Sequence, residues 1–530
     1  MNRKEFLKTG AFAAAMAGVS PTLKAWIPQH NWEGYDFGPG PEIKDRLYQG
    51  PFPMYHPEKF FRDEVHTGGG GGGVVQGTTT GMQLINCFGM GLQTYISGDH
   101  GAPMVPGETL EQTIDKLVSF PLSTKLYLRP TWKEFQKKQG RLDFDDYIKI
   151  TLEKAAKYNK RIGFRWNLSV PQQMPQDPNV PVDYTRWMPD HVIEKVPLIH
   201  LEGTYVGRSD HKFPAYHNPY FIEYFEEFNA LLAEQWNGSD LIEWKDTFMF
   251  GWWGEGHAHA LKGHNFPSYS VAEETFIKLF EIQQKYWTKV PLVTNLQPDT
   301  NFVGNAELVD RTIRSHNWLR TDTINIENEQ IEAMSNRPPW IAAIHEGWIR
   351  YNGERDAHGL PPGWNTFDKN KDVHSNYFAV AIHSLDQTLE NLNYFHNRFP
   401  EVLTGLSQTI GFRVRPSWIW LYQADTNRDG LIFGMVNDGM APVPGVLRLT
   451  LFTDRNPCLV TGCLDAGYPK PLGARQAAMV LPEGMPWDQS GIKLKAEIEV
   501  KGVTYPVPFA CAPPLNPDGS LTLTRMYRSR

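Results

Sequence analysis

Between residues 81 and 412, short apolar runs alternate with longer stretches whose apolar positions recur at helical spacing. The runs are Met82–Ile85, Lys125–Arg129, Ile162–Trp166, Thr247–Trp252, Val290–Asn295, Thr323–Ile326, Trp340–Ile344 and Leu389–Phe395. Segments this short and this apolar fit strands buried on both faces. The stretch Phe144–Tyr158 carries Phe144, Tyr147, Ile148, Leu152 and Ala155, one face of a helix. Pro219–Gln235, Val271–Tyr286, Ala306–Ser315 and Val373–Asp386 read the same way. Strand and helix in regular alternation predict an α/β protein, an eight-stranded parallel (β/α)8 TIM barrel. An open doubly wound sheet would alternate similarly. It usually carries a Gly-rich phosphate turn after its first strand, and none is visible.

The texture changes after Gly411. Trp418–Tyr422, Gly430–Val436, Val446–Phe452, Cys458–Thr461, Ile492–Val500 and Leu521–Thr524 are separated by Pro, Gly, Asn and Asp. This pattern predicts an all-β sandwich domain over 413–530. Asp425-Thr-Asn427-Arg-Asp429-Gly430 mimics the start of a calcium loop, but Val436 stands where the bidentate Glu is needed, so a hairpin turn is the better reading. Residues 26–80 show little periodicity and read as an N-terminal extension, with Gly68 to Gly73 forming a loop. Residues 1–25 have a basic head and a run of small apolar residues, the layout of an export signal. Arg3-Lys4-Glu5-Phe6-Leu7-Lys8 resembles a twin-arginine signal with Lys4 in place of the second Arg. The expected location is therefore periplasmic or extracellular. The apolar run is too short to span a membrane.

A net charge of −7 argues against a nucleic-acid surface. The four cysteines, Cys87, Cys458, Cys463 and Cys511, fit no zinc pattern. Cys458 and Cys463 are close enough for a local bridge, and unpaired thiols are an equal reading. No Walker loop, dinucleotide fingerprint or Gly-x-Ser-x-Gly elbow is present, and no cofactor is expected.

Chemistry in a barrel gathers at the C-terminal strand ends. Two predicted strand ends finish in glutamate: the fourth at Glu255, within Trp252-Trp-Gly-Glu-Gly-His257, and the seventh at Glu346, within His345-Glu-Gly-Trp348. Two carboxyls facing one pocket are what glycosidic cleavage requires. One protonates the leaving oxygen, and the other attacks the anomeric carbon or activates water. Flanking Trp side chains would desolvate a carboxyl and suit it to the acid role. A glutamate in this position is as readily a structural partner for a barrel arginine.

With those residues in view, the chain resembles the retaining glycoside hydrolases of clan A, the beta-galactosidase-type barrels. Leu126-Tyr-Leu-Arg-Pro-Thr-Trp132-Lys-Glu-Phe, then Gly140-Arg-Leu-Asp-Phe144, is similar to a segment of those enzymes. Trp253-Gly-Glu255-Gly-His257, Gly411-Phe-Arg413 and Asn437-Asp-Gly-Met-Ala-Pro442 also resemble bacterial secreted proteins with domain of unknown function 4832. The resemblance implies Glu255 as acid/base and Glu346 as nucleophile. From the sequence alone their roles are interchangeable. The chain departs from clan A at Gly254, where those enzymes carry Asn.

Further substrate-binding candidates are Arg129, Trp132, Arg165, Trp166, Trp253, His257, Asn295, Glu327, His345 and Trp348. The arginines would hold a nucleophile ionised, the rings would stack on sugars, and Glu327 competes for either glutamate's role. Asn391 and Asn393 would line the eighth strand end. His257, His259 and His264 follow Glu255 without a zinc-binding spacing, so no metal is expected. The expected partner is a carbohydrate substrate. Inverting hydrolysis by the same pair, or a non-catalytic sugar-binding barrel, are the competing readings.

Overall fold

The computed structural model describes residues 73–523 except 97–101, 206, 259–260, 263–265, 297–304, 325–327, 348–362, 381–387, 488–490 and 513. The strands are β1 (Gly73–Gly77), β2 (Gly91–Ile96), β3 (Lys125–Leu128), β4 (Arg161–Phe164), β5 (Leu198–His200), β6 (Glu202–Gly203), β7 (Lys212–Pro214), β8 (Ile242–Asp246), β9 (Leu261–Lys262), β10 (Leu292–Asn295), β11 (Trp318–Thr323), β12 (Ala343–Gly347) and β13 (Tyr377–Val380). Then come β14 (Val414–Asp425), β15 (Arg428–Asn437), β16 (Val446–Phe452), β17 (Val460–Leu464), β18 (Ala474–Val480), β19 (Lys493–Val500), β20 (Val503–Val507) and β21 (Leu521–Thr522). Eight parallel strands close into a barrel in the order β2, β3, β4, β8, β10, β11, β12, β13 and back to β2.

The alternation along each barrel strand builds the site. Leu126, Leu128, Ile162, Phe164, Ile242 and Leu292 share one core cluster, with Phe225, Phe228, Leu279 and other side chains of the surrounding helices. Residues of the other face belong to a separate cluster: Tyr95, Tyr127, Trp244, Val293, Trp318, Ile344 and Tyr377, with an irregular pairing at Glu243 bringing Ile242 and Trp244 to different faces. Successive side chains of a strand point to opposite faces, so this second set lines the lumen. Rings touch across it: Tyr95 and Tyr127 at 5.0 Å, Tyr127 and Trp244 at 4.9 Å. Further along the strands, in steps of two residues, the same parity delivers Arg129, Arg165, Asp246, Asn295, Arg320, Asp322 and Glu346, a polar layer above an aromatic one.

At the opposite end, Phe88 stacks on Tyr505 of β20 at 3.8 Å and lies 5.6 Å from Trp318, so the C-terminal sheets plug the barrel floor. Glu243 anchors that floor. It accepts hydrogen bonds from the Gly89 N–H (2.8 Å) and the Tyr377 hydroxyl (2.6 Å), and it faces Lys125 at 3.7 Å and Arg161 at 3.8 Å.

The C-terminal part is two antiparallel sheets around one core. The first has the order β1, β14, β15, β18; the second has β17, β16, β19, β20, with β21 on β19. Strand β1, from the N-terminal extension, lies on the β14 edge with Gly73 opposite Leu421. Gly73, expected in a loop, thus opens a strand; Gly68–Gly72 lie outside the described residues. Asp425 pairs with Arg428 across a two-residue hairpin turn, as the missing Glu implied. All four cysteines are free thiols, so the local bridge is not formed. Among the described residues no helix is long and apolar enough to cross a membrane.

Several barrel positions differ from the expectation. The first strand is Gly91–Ile96; in Met82–Ile85, Met82 and Leu84 are exposed. The fourth is Ile242–Asp246, and Thr247–Trp252 is loop. The sixth is Trp318–Thr323. The eighth, Tyr377–Val380, lies inside the stretch expected to be a helix. Leu389–Phe395, expected as that strand, is helix Thr388–Arg398 instead. In the tail, β18 and β20 were not anticipated.

Burying Lys125 is tolerable because Glu243 faces it and Asn86 Oδ1 accepts from its Nζ at 2.9 Å. Glu243→Gln is expected to lower the unfolding free energy by about 3 kcal/mol in urea denaturation, since breaking a buried pair strands the remaining charge. A loss under about 0.5 kcal/mol would show that the floor network carries little of the stability.

Candidate active site

The polar layer is a single ion-paired cluster. Arg320, on β11, sits at its centre, with Nη2 2.7 Å from Glu255 Oε1 and Nη1 2.8 Å from Asp322 Oδ1. The same Nη1 is 3.5 Å from Glu346 Oε2, and Nε is 3.3 Å from Asp246 Oδ2. One guanidinium therefore meets four carboxylates. Arg165 Nη1 donates to Glu255 Oε1, the oxygen already paired with Arg320, and is 3.8 Å from Asp246. Arg129 lies 3.9 Å from Glu255 and 3.4 Å from the Tyr95 hydroxyl, which itself donates to Glu346.

These neighbours determine the charge states. Burial pushes the Glu346 carboxyl up, but Arg320 and Arg129 outweigh it and the net shift is downward, so Glu346 is an anion. Asp322 is likewise raised by burial and then lowered further by Arg320 and His257, ending well below the carboxylate range. Asp246 is the exception. Burial holds it above its ordinary value despite Arg320 and Arg165, and it accepts a 2.5 Å hydrogen bond from Tyr127.

Glu255 does not end strand four. It sits in the loop beyond Asp246, a turn that folds back on itself: the Trp252 N–H donates to the His257 carbonyl at 2.9 Å, and Gly256 N–H to Phe250 at 2.7 Å. Gly251 is required there, because a Cβ would stand 2.0 Å from the His257 carbonyl oxygen. Trp253 adopts a left-handed φ of 57°, uncommon for a bulky residue and found where surroundings enforce it. The loop delivers two groups to the cluster. Glu255 is one; the other is His257, whose Nε2 is 2.5 Å from Asp322 Oδ2 and 3.8 Å from Glu255 Oε2. Asn295 Nδ2 ties the parts together, donating to the Glu255 carbonyl (2.9 Å) and to Asp322 Oδ2 (2.8 Å).

The structure thus gathers Glu255, Glu346, Arg129, Arg165, His257 and Asn295. Trp253 is adjacent: its ring meets His257 edge-on at 5.6 Å and its indole N–H donates to Gln172 at 3.0 Å. Other candidates lie elsewhere. Trp132 is packed on Phe228 at 5.0 Å and Trp166 on Phe248 at 4.5 Å, both in the shell between barrel and helices. Trp166 has the parity opposite to Arg165 and Trp132 opens a short helix, Trp132–Phe135, so both are core. His345 has the parity opposite to Glu346 and bonds Thr321 Oγ1 at 2.6 Å; burial, then Arg337 and Arg320, hold it well below its usual range as a neutral ring. Asn393 is exposed on a helix. Glu327, Trp348, His259 and His264 lie outside the described residues, as does the side chain of Asn391. Sequence reasoning missed Tyr95, Tyr127, Asp246, Arg320 and Asp322. Their signal was a charged or aromatic residue at every second position of a strand.

Glu255, His257 and Asp322 offer ligand atoms within 4.8 Å of one another, a span that could suit a cation. Arg320 contacts both carboxylates and Arg165 one of them, so a divalent ion would have to compete with guanidinium groups already in place. The arrangement is an ion-paired cluster.

No protein-family model matches the chain, and no curated protein sequence matches it, so the likeness to the proteins with domain of unknown function 4832 gains no support. Among solved structures the chain is similar to endo-glycoceramidase II from Rhodococcus sp., in a cellobiose-like imidazole complex. That match has 10% identity over 74% of this chain and 97% of the other, with a TM-score of 0.37. It is also similar to the catalytic domain of a beta-amylase from Paenibacillus polymyxa (9%, 58% and 97%, 0.37). A third is an exo-beta-1,4-mannosidase from an Opitutaceae bacterium (8%, 61% and 56%, 0.35). Likenesses this distant carry no argument about chemistry. The TIM barrel stands on its own closed ring of parallel strands.

The charge states imply a pH dependence of stability. Glu346 and Asp322 ionise more readily folded than unfolded, so the stability they add is present above the ordinary carboxylate range and lost on acidification. His345, neutral in the fold, favours the unfolded chain once the solution falls below the ordinary histidine value. Urea midpoints are expected to decline from about pH 6.5 and more steeply below about pH 4.5. His345→Gln should flatten only the upper limb; an unchanged profile would contradict the neutral ring.

Proposed function

We propose that the protein is a glycoside hydrolase that cleaves a poly- or oligosaccharide with retention of configuration. One observation supports this reading above the others. Two glutamates, from the loop after strand four and from the end of strand seven, converge on one guanidinium in the mouth of a barrel. Barrel enzymes place their chemistry at that end, and paired carboxylates are the inventory of glycosidic cleavage. Glu346 is the nucleophile: Arg320, Arg129 and the Tyr95 hydroxyl hold it ionised and oriented. Glu255 stands on the leaving-group side, in the position that the clan A resemblance gives to the acid/base. Asn295 occupies itself with Glu255 and Asp322, so it anchors the loop rather than replacing the Asn missing at position 254.

A panel of glycans with anomeric analysis of the products tests the class and separates retention from inversion. Glu346→Ala should lower turnover about 10⁴-fold, and azide should restore it by forming the glycosyl azide. Unchanged hydrolysis in that variant would remove Glu346 from the assignment, and a wild-type chain inactive on the whole panel would leave the barrel a sugar-binding protein instead.

Export is part of the same proposal, on the basic head and the run of small apolar residues within residues 1–25. The mature chain should begin near residue 26; intact Met1 on native cytosolic protein would contradict it.

A further inference from the structure

The arginines and the acids of the polar layer do not match in number. Arg129, Arg165 and Arg320 bring three positive charges, whereas Asp246, Glu255, Asp322 and Glu346 would bring four negative ones. The partners of each acid show which one is left over. Glu255 Oε1 accepts from Arg165 and, at 2.7 Å, from Arg320 Nη2. Asp322 Oδ2 accepts from Asn295 at 2.8 Å and meets His257 Nε2 at 2.5 Å, while Arg320 Nη1 stands 2.8 Å from Oδ1. Glu346 accepts from the Tyr95 hydroxyl, with Arg320 at 3.5 Å.

Asp246 is served least well. It receives one hydrogen bond, on Oδ2, from the neutral Tyr127 hydroxyl at 2.5 Å. That phenol is held in place by its ring contacts with Tyr95 at 5.0 Å and Trp244 at 4.9 Å. Arg320 Nε lies 3.3 Å away and Arg165 Nη1 3.8 Å, and neither donates to it. Its Oδ1 is sealed and has no partner among the described residues. The other charged group acting on it is Glu346, of like sign. Lys245, next in the strand, is engaged on the helix side, donating to the Asp246 carbonyl at 2.9 Å and to Gln283 at 2.5 Å. A buried anion with one hydrogen bond and an orphan oxygen is costly, and a neutral carboxyl with the same partners loses far less. Burial outweighs both guanidinium groups at this position and raises its hold on a proton.

We propose that Asp246 is a positioning residue that keeps its proton at neutral pH, a neutral acid set against the guanidinium groups of Arg165 and Arg320. It acts through those two groups and touches no substrate. With Asp246 neutral, the three guanidinium groups meet three anions, and the field of Arg165 and Arg320 falls on Glu255 and Glu346. An ionised Asp246 would compete for both arginines and weaken their hold on Glu346. The part played in a reaction rests on the glycosidase reading; the seat of the proton does not.

Infrared difference spectroscopy of the full chain tests the proton directly. At about pH 7, wild type minus Asp246→Asn should contain the carbonyl band of a neutral carboxyl, and carbon-13 labelling of the aspartate side chains should move that band. Tyr127→Phe removes the one hydrogen bond that favours the anion, so in that variant the band should persist to higher pH. A carboxylate band in its place overturns the inference whether or not the protein cleaves glycosides. Kinetically, 4-nitrophenyl β-glycosides of glucose, galactose and mannose serve as probes. Asp246→Ala should lower kcat about 10²-fold with little change in KM, because Arg165 and Arg320 lose their support. Asp246→Asn should recover part of that loss and leave the acid limb of kcat/KM, set by Glu346, at its wild-type pH, since an amide then replaces a neutral acid. Were Asp246 an anion, the same substitution would remove a negative charge beside Arg320 and move that limb to lower pH, and the inference would be wrong. A wild-type protein inactive on every probe, with the neutral carboxyl band present, would instead defeat the glycosidase reading alone.

Discussion

The barrel mouth depends on the guanidinium of Arg320. Four carboxylates buried in one layer would repel one another and would each lose their hydration, a penalty of several kcal/mol per ion. Arg320 touches all four, and Arg165 and Arg129 supply the rest of the countercharge. Arginine suits this task better than lysine, because its planar fork offers several donors in fixed directions and stays charged when desolvated. A cluster of this kind is a poor way to stabilise a barrel, since apolar side chains of equal volume would do as well or better. Buried charges with strongly shifted titration cluster at functional sites more often than stability alone would require.

The loop from Gly251 to His257 is the complement of that layer. Strands fix Arg320, Asp322 and Glu346 to within the stiffness of a closed sheet, but Glu255 and His257 come from a turn. Its conformation is enforced by the close approach at Gly251, the left-handed Trp253 and hydrogen bonds across its neck. Asn295 reaches from β10 to tie the turn to Asp322. Precision at Glu255 is thus purchased by backbone geometry rather than by sheet pairing.

Architecture was legible in the alternation of strands and helices, and Glu346 was placed correctly because Trp340–Ile344 leads directly to it. The misplacements share a physical cause. Ile242-Glu-Trp-Lys-Asp246 and Trp318-Leu-Arg-Thr-Asp-Thr323 do not look apolar, because their lumen positions carry the charges of the floor and the site. Reading apolarity alone therefore slid strands four and six to the next greasy stretch, Thr247–Trp252 and Thr323–Ile326. Gly91–Ile96 was overlooked for a related reason, its buried Gln93 and Thr94. The residues that matter most to the site are the ones that broke the signal. Trp132 and Trp166 failed the other way: a large ring near a strand end is equally suited to sugar and to core, and here Phe228 of a helix stacks on Trp132 and Phe248 of a loop on Trp166.

Strand β1 pairs with β14, and the floor of the barrel is stoppered by Tyr505 from β20. The earliest described strand consequently finds its neighbour only after almost the whole chain has been made. Until β14 is made β1 has no partner, and until β20 is made the barrel has an open underside, a state that invites association with other chains. Pairings so distant along the chain are slow to form. The barrel therefore stays open to mispairing for most of its own synthesis, and the last strands to appear are the ones that close it.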